Sequence, residues 1–194
     1  MKTKAEEFTG QVQDYMDSLK RTLDSLNMEE FNNILGILKD AYHNEKTIFI
    51  MGNGGSAATA SHIVCDLNKG VSYTRKKKFK MICLNDNIPT LMAYANDASY
   101  DDIFVEQLKN FLKPGDIVIG ISGSGNSRNV LKAIEYANAN DGVSIGLCGY
   151  NGGKLKQSAH HFIHVNINDM QIVEDIHLII GHIMMRVYGE EASA

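Results

Sequence analysis

The chain has 194 residues, 44% of them hydrophobic and 22% charged, with a net charge of −4 and a pI near 6.0. That is length for one core rather than two, in an ordinary globular composition, and the balance excludes a globally basic nucleic-acid or membrane-surface binder, so any anion site has to be built locally. Cys65, Cys83 and Cys148, odd in number and without CxxC spacing, exclude a disulfide framework or a zinc knuckle; no apolar run reaches membrane-spanning length, so a cytoplasmic protein is expected.

Phe8, Val12, Tyr15, Leu19, Leu23 and Leu26 recur at helical spacing and predict a long amphipathic helix. A second helix follows, capped by Asn27 with Glu30 three residues on, and carries Phe31, Ile34, Leu35, Leu38 and Tyr42 on its apolar face. Together they have more apolar surface than one sheet edge covers, which makes them candidates for subunit packing. From Thr47 the pattern becomes short apolar runs: Thr47 to Met51, Phe79 to Leu84, Ile117 to Ile121, Val143 to Leu147 and Phe162 to Val165, which read as buried parallel strands. Helical stretches at about Ser56 to Leu67, Asp102 to Leu112, Ser127 to Asn138 and Met170 to Tyr188 alternate with them. The predicted fold is α/β: a three-layer α/β/α sandwich on a five-stranded parallel sheet, preceded by two N-terminal helices. It is one domain over 1–194, with the helical extension over about 1–45. Pro89 and Pro114 are expected between elements, Gly152-Gly153 in a loop, and Gly189 to Ala194 in a frayed tail.

Two loops carry the chemistry. Gly52-Asn53-Gly54-Gly55-Ser56-Ala57 and Ser122-Gly123-Ser124-Gly125-Asn126-Ser127 each follow a strand and lead into a helix. Glycine lets the backbone approach a ligand, and serine hydroxyls with helix-start amides can donate to phosphate oxygens, so the pair could line one anion-binding crevice. His62 and Asp66 are four apart on the helix after the first loop; Glu174 and His182 are eight apart on the last helix, with Asp175 and His177 nearby. Two imidazoles and two carboxylates can either hold a divalent metal or act as an acid/base pair.

These blocks, with Asn96-Asp97, Gly152-Gly153 and the Glu174-Asp175-Ile176-His177 to His182 helix, resemble the phosphoheptose isomerase family, a branch of the sugar isomerase (SIS) domain proteins, over nearly the whole chain. The resemblance implies a cytoplasmic homotetramer with sites between subunits, an aldose–ketose isomerase that converts sedoheptulose 7-phosphate to a heptose 7-phosphate and feeds surface-polysaccharide synthesis. No membrane or nucleic-acid partner is expected. Ser122, Ser124 and Ser127 match the family's phosphate-binding hydroxyls, with Asn53, Gly54 and Ser56 from the first loop; Asn96, Asp97, Gly123 and Glu174 complete the implied substrate-binding set. Asp66 matches the family's glutamate base and His182 its last-helix histidine, the implied catalytic pair. Some members bind Zn2+ through side chains corresponding to His62, Asp66, Glu174 and His182, an implied cofactor here.

The departures cluster at the sugar end. The family glutamate is Asp66, its last-helix glutamine is Glu174, its preceding aspartate and arginine are Gln171 and Ile172, and the threonine between its phosphate serines is Gly123. A related phosphosugar, or altered geometry on the same one, is therefore expected, and a non-catalytic SIS adaptor of the kind associated with replication initiation is the alternative. Gly52 to Ala57 also fits the GxGxxA dinucleotide pattern, but no acidic residue closes the second strand at the required spacing, since Asp86 lies much further on. The run Arg75-Lys76-Lys77-Lys78 reads as a solvated loop guarding a strand from aggregation.

Overall fold

The computed structural model describes residues 8–190. Two helices, α1 (Thr9–Asp24) and α2 (Met28–His43), precede strand β1 (Thr47–Gly52). Then follow α3 (Gly55–Cys65), a π-helical turn over Asp66–Val71, β2 (Lys80–Cys83), α4 (Ile88–Asp97), a 3-10 turn over Tyr100–Asp102 and α5 (Val105–Phe111). The chain continues with β3 (Ile117–Ser122), α6 (Arg128–Ala139), β4 (Val143–Cys148), α7 (Leu155–Ser158), β5 (His161–His164) and α8 (Met170–Glu190). All strands are parallel, in the order β2-β1-β3-β4-β5, with helices on both faces, as the sequence pattern predicts.

Successive side chains of a strand point to opposite faces, so a sheet covered on both sides needs unbroken apolar strands. In β1, Ile48 and Ile50 enter one core, with Leu38 of α2, Ile63 of α3 and Ile180 of α8. Phe49 and Met51 enter the other, with Phe104, Leu108 of α5 and Ile134 of α6. Strand order reverses direction around β1: the chain leaves β1 toward β2 on one side and returns to β3 on the other, and Gly52 lies level with Ile121. The two Gly/Ser loops therefore leave neighbouring strand ends at the switch point of the sheet, where such folds bind ligands.

The α2 cap forms as expected, with Asn27 Oδ1 accepting from the Glu29 and Glu30 amides at 3.0 and 3.2 Å. In α1 the stripe is only half covered: Tyr15, Leu19 and Leu23 pack on the core, and the Tyr15 hydroxyl donates to Asp175 of α8 at 2.5 Å, but Phe8, Val12 and Met16 remain exposed. Two expectations are corrected. Pro89 lies inside α4, in its first turn, where a missing amide costs nothing, with Asn87 capping the helix through the Thr90 amide at 3.2 Å. The helix expected at Asp102 is split into the 3-10 turn and a later α5. The tail from Glu191 lies outside the described residues, while Gly189 and Glu190 still belong to α8.

Helix α8 packs closely on α3 because Gly181 carries no side chain: a Cβ there would stand 2.6 Å from Cγ1 of Ile63. Gly181→Ala is expected to destabilise the protein by about 1–3 kcal/mol through overpacking. Denaturant unfolding checks this, and in an Ile63→Ala background the same change is expected to cost clearly less, because the opposing atoms are gone.

Candidate active site

The first loop turns through Gly54, whose φ of 54° is a conformation that glycine adopts without strain. Ser56 is buried in the first turn of α3. Asn53 is held from two sides: its amide and that of Asn129 exchange hydrogen bonds at 2.9 Å, and the Tyr100 hydroxyl donates to Asn53 Oδ1 at 2.9 Å. Asn85 brackets Gly52, accepting from its amide at 3.2 Å and donating to its carbonyl at 2.8 Å. Over this loop stands α4, which buries none of its residues and leaves a small apolar concavity of about 200 Å³ between Met92, Leu91 and the loop.

In the second loop, Ser122 Oγ lies 3.0 Å from Ser127 Oγ, and Ser124 Oγ accepts from the Asn126 amide at 3.2 Å. Gly125 has φ 66°, and a Cβ there would strike the Gly152 carbonyl, so this loop is locked against Gly152-Gly153. A concavity of about 460 Å³ opens beside Ser124 and Asn126, walled by Tyr150, Asn168 and Met170. Gly123 is covered by the Met170 thioether, whose sulfur would stand 2.5 Å from a Cβ at position 123. Asn96 and Asp97 are exposed at the end of α4 and hydrogen-bond each other at 2.7 Å.

Farther along α3 is a compact ionisable group. His62 Nε2 is 3.0 Å from His182 Nε2 and 3.3 Å from Asp66 Oδ2, and His182 Nε2 is 3.9 Å from the same oxygen. Asp66 Oδ2 is buried and makes no hydrogen bond, an arrangement that costs free energy unless a further partner compensates. Zinc–nitrogen bonds of about 2.0–2.1 Å in a tetrahedral shell place donors about 3.3–3.4 Å apart. The three separations bracket that value, so His62, Asp66 and His182 suit a zinc ion in spacing and in donor type. Glu174 does not join them. Its carboxylate lies over Gly55 at the start of α3, where it faces the helix's positive end and a Cβ at Gly55 would collide with it at 2.5 Å. The expectation of four converging side chains is thus corrected to three, because eight residues of α8 lift Glu174 to the loop end of the helix pair.

Asp66 itself begins the π-helical turn, an insertion common at functional positions. That turn could not be read from the HxxxD spacing. Asn129 and Tyr100, which position Asn53, were also missed: Asn129 reads as one more polar residue in a helix start, and Tyr100 falls where no element is expected.

Residues 13–149 match the SIS domain family. The protein is 34% identical to the probable phosphoheptose isomerase of Thermoplasma acidophilum over 177 residues, 91% of this chain and 97% of the relative. It is also 34% identical to the phosphoheptose isomerase of Helicobacter pylori over 170 residues, 88% of each chain. The chain belongs to the phosphoheptose isomerase family. Its fold is that of the phosphoheptose isomerase from Neisseria gonorrhoeae, with a TM-score of 0.86 at 24% identity over 94% of this chain and 99% of that one.

One buried group of this family member stands behind the site. His177 of α8 is fully buried, neither ring nitrogen makes a hydrogen bond of good geometry, and burial pushes its pKa down to about 4, only partly opposed by the Cys148 backbone. The unfolded chain takes up that proton near the ordinary histidine value of about 6.5 and the folded chain does not, so stability is complete above this range and falls as pH drops through it toward 4. Unfolding free energies measured from pH 7 to pH 4 are expected to decline, by up to about 3 kcal/mol from this residue alone, and His177→Phe is expected to flatten the decline.

Proposed function

We propose that this member of the family interconverts sedoheptulose 7-phosphate and D-glycero-D-manno-heptose 7-phosphate, in the cytoplasm and on the route to surface polysaccharide. The observation that carries the reading is the His62–Asp66–His182 group, with its unsatisfied carboxylate oxygen, in which His62 stands on the helix that begins at the anion-binding loop, Asp66 just after that helix and His182 on α8 beside it. The backbone amides and the hydroxyls of Ser122, Ser124 and Ser127, with the Asn53 to Ser56 loop, bind the phosphate. That grip supplies binding energy which positions the reacting carbons. Moving a proton between C1 and C2 through an enediol needs a base over the carbon and an acid near the oxygens. Asp66 is the base and His182 the group that holds and returns the oxygen-bound proton.

The substitution of aspartate for the family glutamate does not undo this arrangement. The shorter side chain still brings Oδ2 to within 3.3 Å of His62 and 3.9 Å of His182, which supports catalysis over the adaptor reading. Zinc, when bound, would be held by His62, Asp66 and His182 and would supply Lewis-acid polarisation of the substrate carbonyl in place of the proton on His182, whose Nε2 it would occupy, leaving the second Asp66 oxygen to act as the base. Three protein donors are the number typical of a catalytic rather than a closed structural zinc site.

Seven residues of α3 separate Gly55 from His62, a rise of about 10 Å. The phosphate end and the proton-transfer end are therefore far enough apart to demand an extended substrate or completion by a second subunit. A homotetramer with sites between subunits satisfies this demand, and the uncovered Phe8, Val12 and Met16 of α1 supply an apolar stripe for such packing.

Purified protein given sedoheptulose 7-phosphate is expected to yield the aldose. Asp66→Ala and His182→Gln are each expected to lower kcat by about 10²–10⁴-fold, whereas Ser124→Ala raises KM more than it lowers kcat. Failure to form an aldose from sedoheptulose 7-phosphate or any other ketose phosphate would overturn the proposal. Zinc titrated by calorimetry is expected to bind the wild type at least about tenfold more tightly than His62→Ala, a readout independent of turnover.

A further inference from the structure

The two anion-binding loops are tied to each other by a pair of side-chain amides. Asn53 of the first loop and Asn129, two residues beyond Ser127 in the first turn of α6, exchange hydrogen bonds, Nδ2 to Oδ1 in both directions, at 2.9 Å. Asn129 is buried, and its Oδ1 also accepts from the Val130 amide at 2.9 Å. A backbone N–H can only donate, so this bond fixes which end of the Asn129 amide is oxygen and, through the pair, which end of the Asn53 amide is. The Tyr100 hydroxyl then adds a second donor to Asn53 Oδ1, at 2.9 Å.

Tyr100 is brought there by a turn that is itself fastened to α6. Asp101 pairs with Arg128, the first residue of α6, at 3.0 Å, and Asp102 with Lys132, one helical turn on, at 2.7 Å. Ser99 caps the turn by accepting from the Asp101 amide at 3.1 Å. No residue of the Tyr100–Asp102 turn is buried, and Tyr100 is 58% exposed. An exposed hydroxyl gives up water to reach an amide, so its bond adds little to stability. What the bond changes is Asn53. With two donors on Oδ1, the amide is held against rotation and polarised, which makes its nitrogen a better donor. Nδ2 gives one N–H to Asn129, and among the described residues the other meets no acceptor.

We propose that Tyr100 is a positioning residue of the anion site: through Asn53 it orients and strengthens an N–H that donates to an oxyanion of the substrate. This role rests on the reading of the two loops as the phosphate site, and adds to it a residue outside both. Asn53 suits the task because its partner Asn129 stands at the start of the helix that the serine loop leads into, so a phosphate on Ser127 is bound beside the pair. The turn after α4 thereby keeps one loop in register with the other.

Inorganic phosphate titrated by calorimetry, together with KM for sedoheptulose 7-phosphate, tests the proposal. Tyr100→Phe, which removes only the hydroxyl, is expected to weaken phosphate binding by about three- to tenfold and to raise KM by a similar factor, with kcat and the thermal midpoint changing far less. Asn53→Ala is expected to weaken phosphate binding at least as much. Adding Tyr100→Phe to it is expected to cost nothing further, because the hydroxyl acts through the amide. Asn53→Ser gives the same comparison should the alanine variant fold poorly. Unchanged phosphate affinity and KM in Tyr100→Phe would overturn the proposal, as would a loss just as large with Asn53 replaced as with it present. A fall in thermal midpoint that tracks the lost affinity overturns it too, by making Tyr100 structural only. Phosphate binding without aldose formation sinks the isomerase reading and leaves this one standing; normal turnover with phosphate held equally well by Tyr100→Phe does the reverse. Wild-type protein that neither binds phosphate nor turns over the sugar phosphate overturns both.

Discussion

The contact between α3 and α8 sets where the ionisable side chains of this protein meet. Helix α3 starts at the first Gly/Ser loop and runs to Cys65, where Asp66 opens the π-helical turn, so one continuous helical run connects the loop to the carboxylate. Helix α8 lies along it, closely enough at Gly181 and Ile63 for His182, the next residue of α8, to reach His62. Any side chain at Gly181 would push the two helices apart and pull one imidazole from the other. The sheet contributes the other half of the arrangement: because β1 and β3 are neighbours in parallel, the glycine loop and the serine loop leave the sheet side by side.

Two positions of the loops are explained by space and charge. Gly123 is not an empty place, since the Met170 thioether covers it and would collide with a Cβ. The apolar sulfur therefore fills the wall beside Ser124 where a side chain would otherwise stand. Glu174 rests over Gly55 at the N-terminal end of α3. A negative charge is favoured at that helix end by the orphan amides, although it would compete there with any anion brought to the same loop. Both residues face the Gly/Ser loops, away from the group around Asp66.

Much of this architecture could be read from residue pattern alone. Five short runs rich in apolar residues announce a parallel sheet, and each expected strand overlaps the observed one, although the edge run over Phe79 to Leu84 carries Lys80 and leaves Ile82 exposed. Helix α4 escaped notice because its apolar face is short, with Leu91 and Tyr94 only partly buried against the core, and because Pro89 suggested a break where it in fact sits in a first turn. The pairing of His62 with Asp66 was legible from their four-residue spacing, and their meeting with His182 from the family resemblance. The separate placement of Glu174 was not, since it depends on the angle and offset between two helices that are far apart in sequence. Likewise Arg75 reads as one cation in a basic run, and only the fold reveals that Tyr42 and Tyr188, from opposite ends of the chain, enclose it.

The loop end of the sheet gathers polar groups without gathering full positive charges. At the loop end the donors are neutral: backbone amides and hydroxyls, oriented by glycine turns and by Asn53, Asn85 and Asn129. Neutral dipoles can be packed closely without repelling one another, and they leave room for the carboxylates of Asp66 and Glu174, which nearby lysines would tie up in ion pairs. Proton transfer by a carboxylate is favoured by such surroundings, because a carboxylate paired to a lysine is a poor base, and the basic run over Arg75 to Lys78 lies at the other end of the sheet, just before β2.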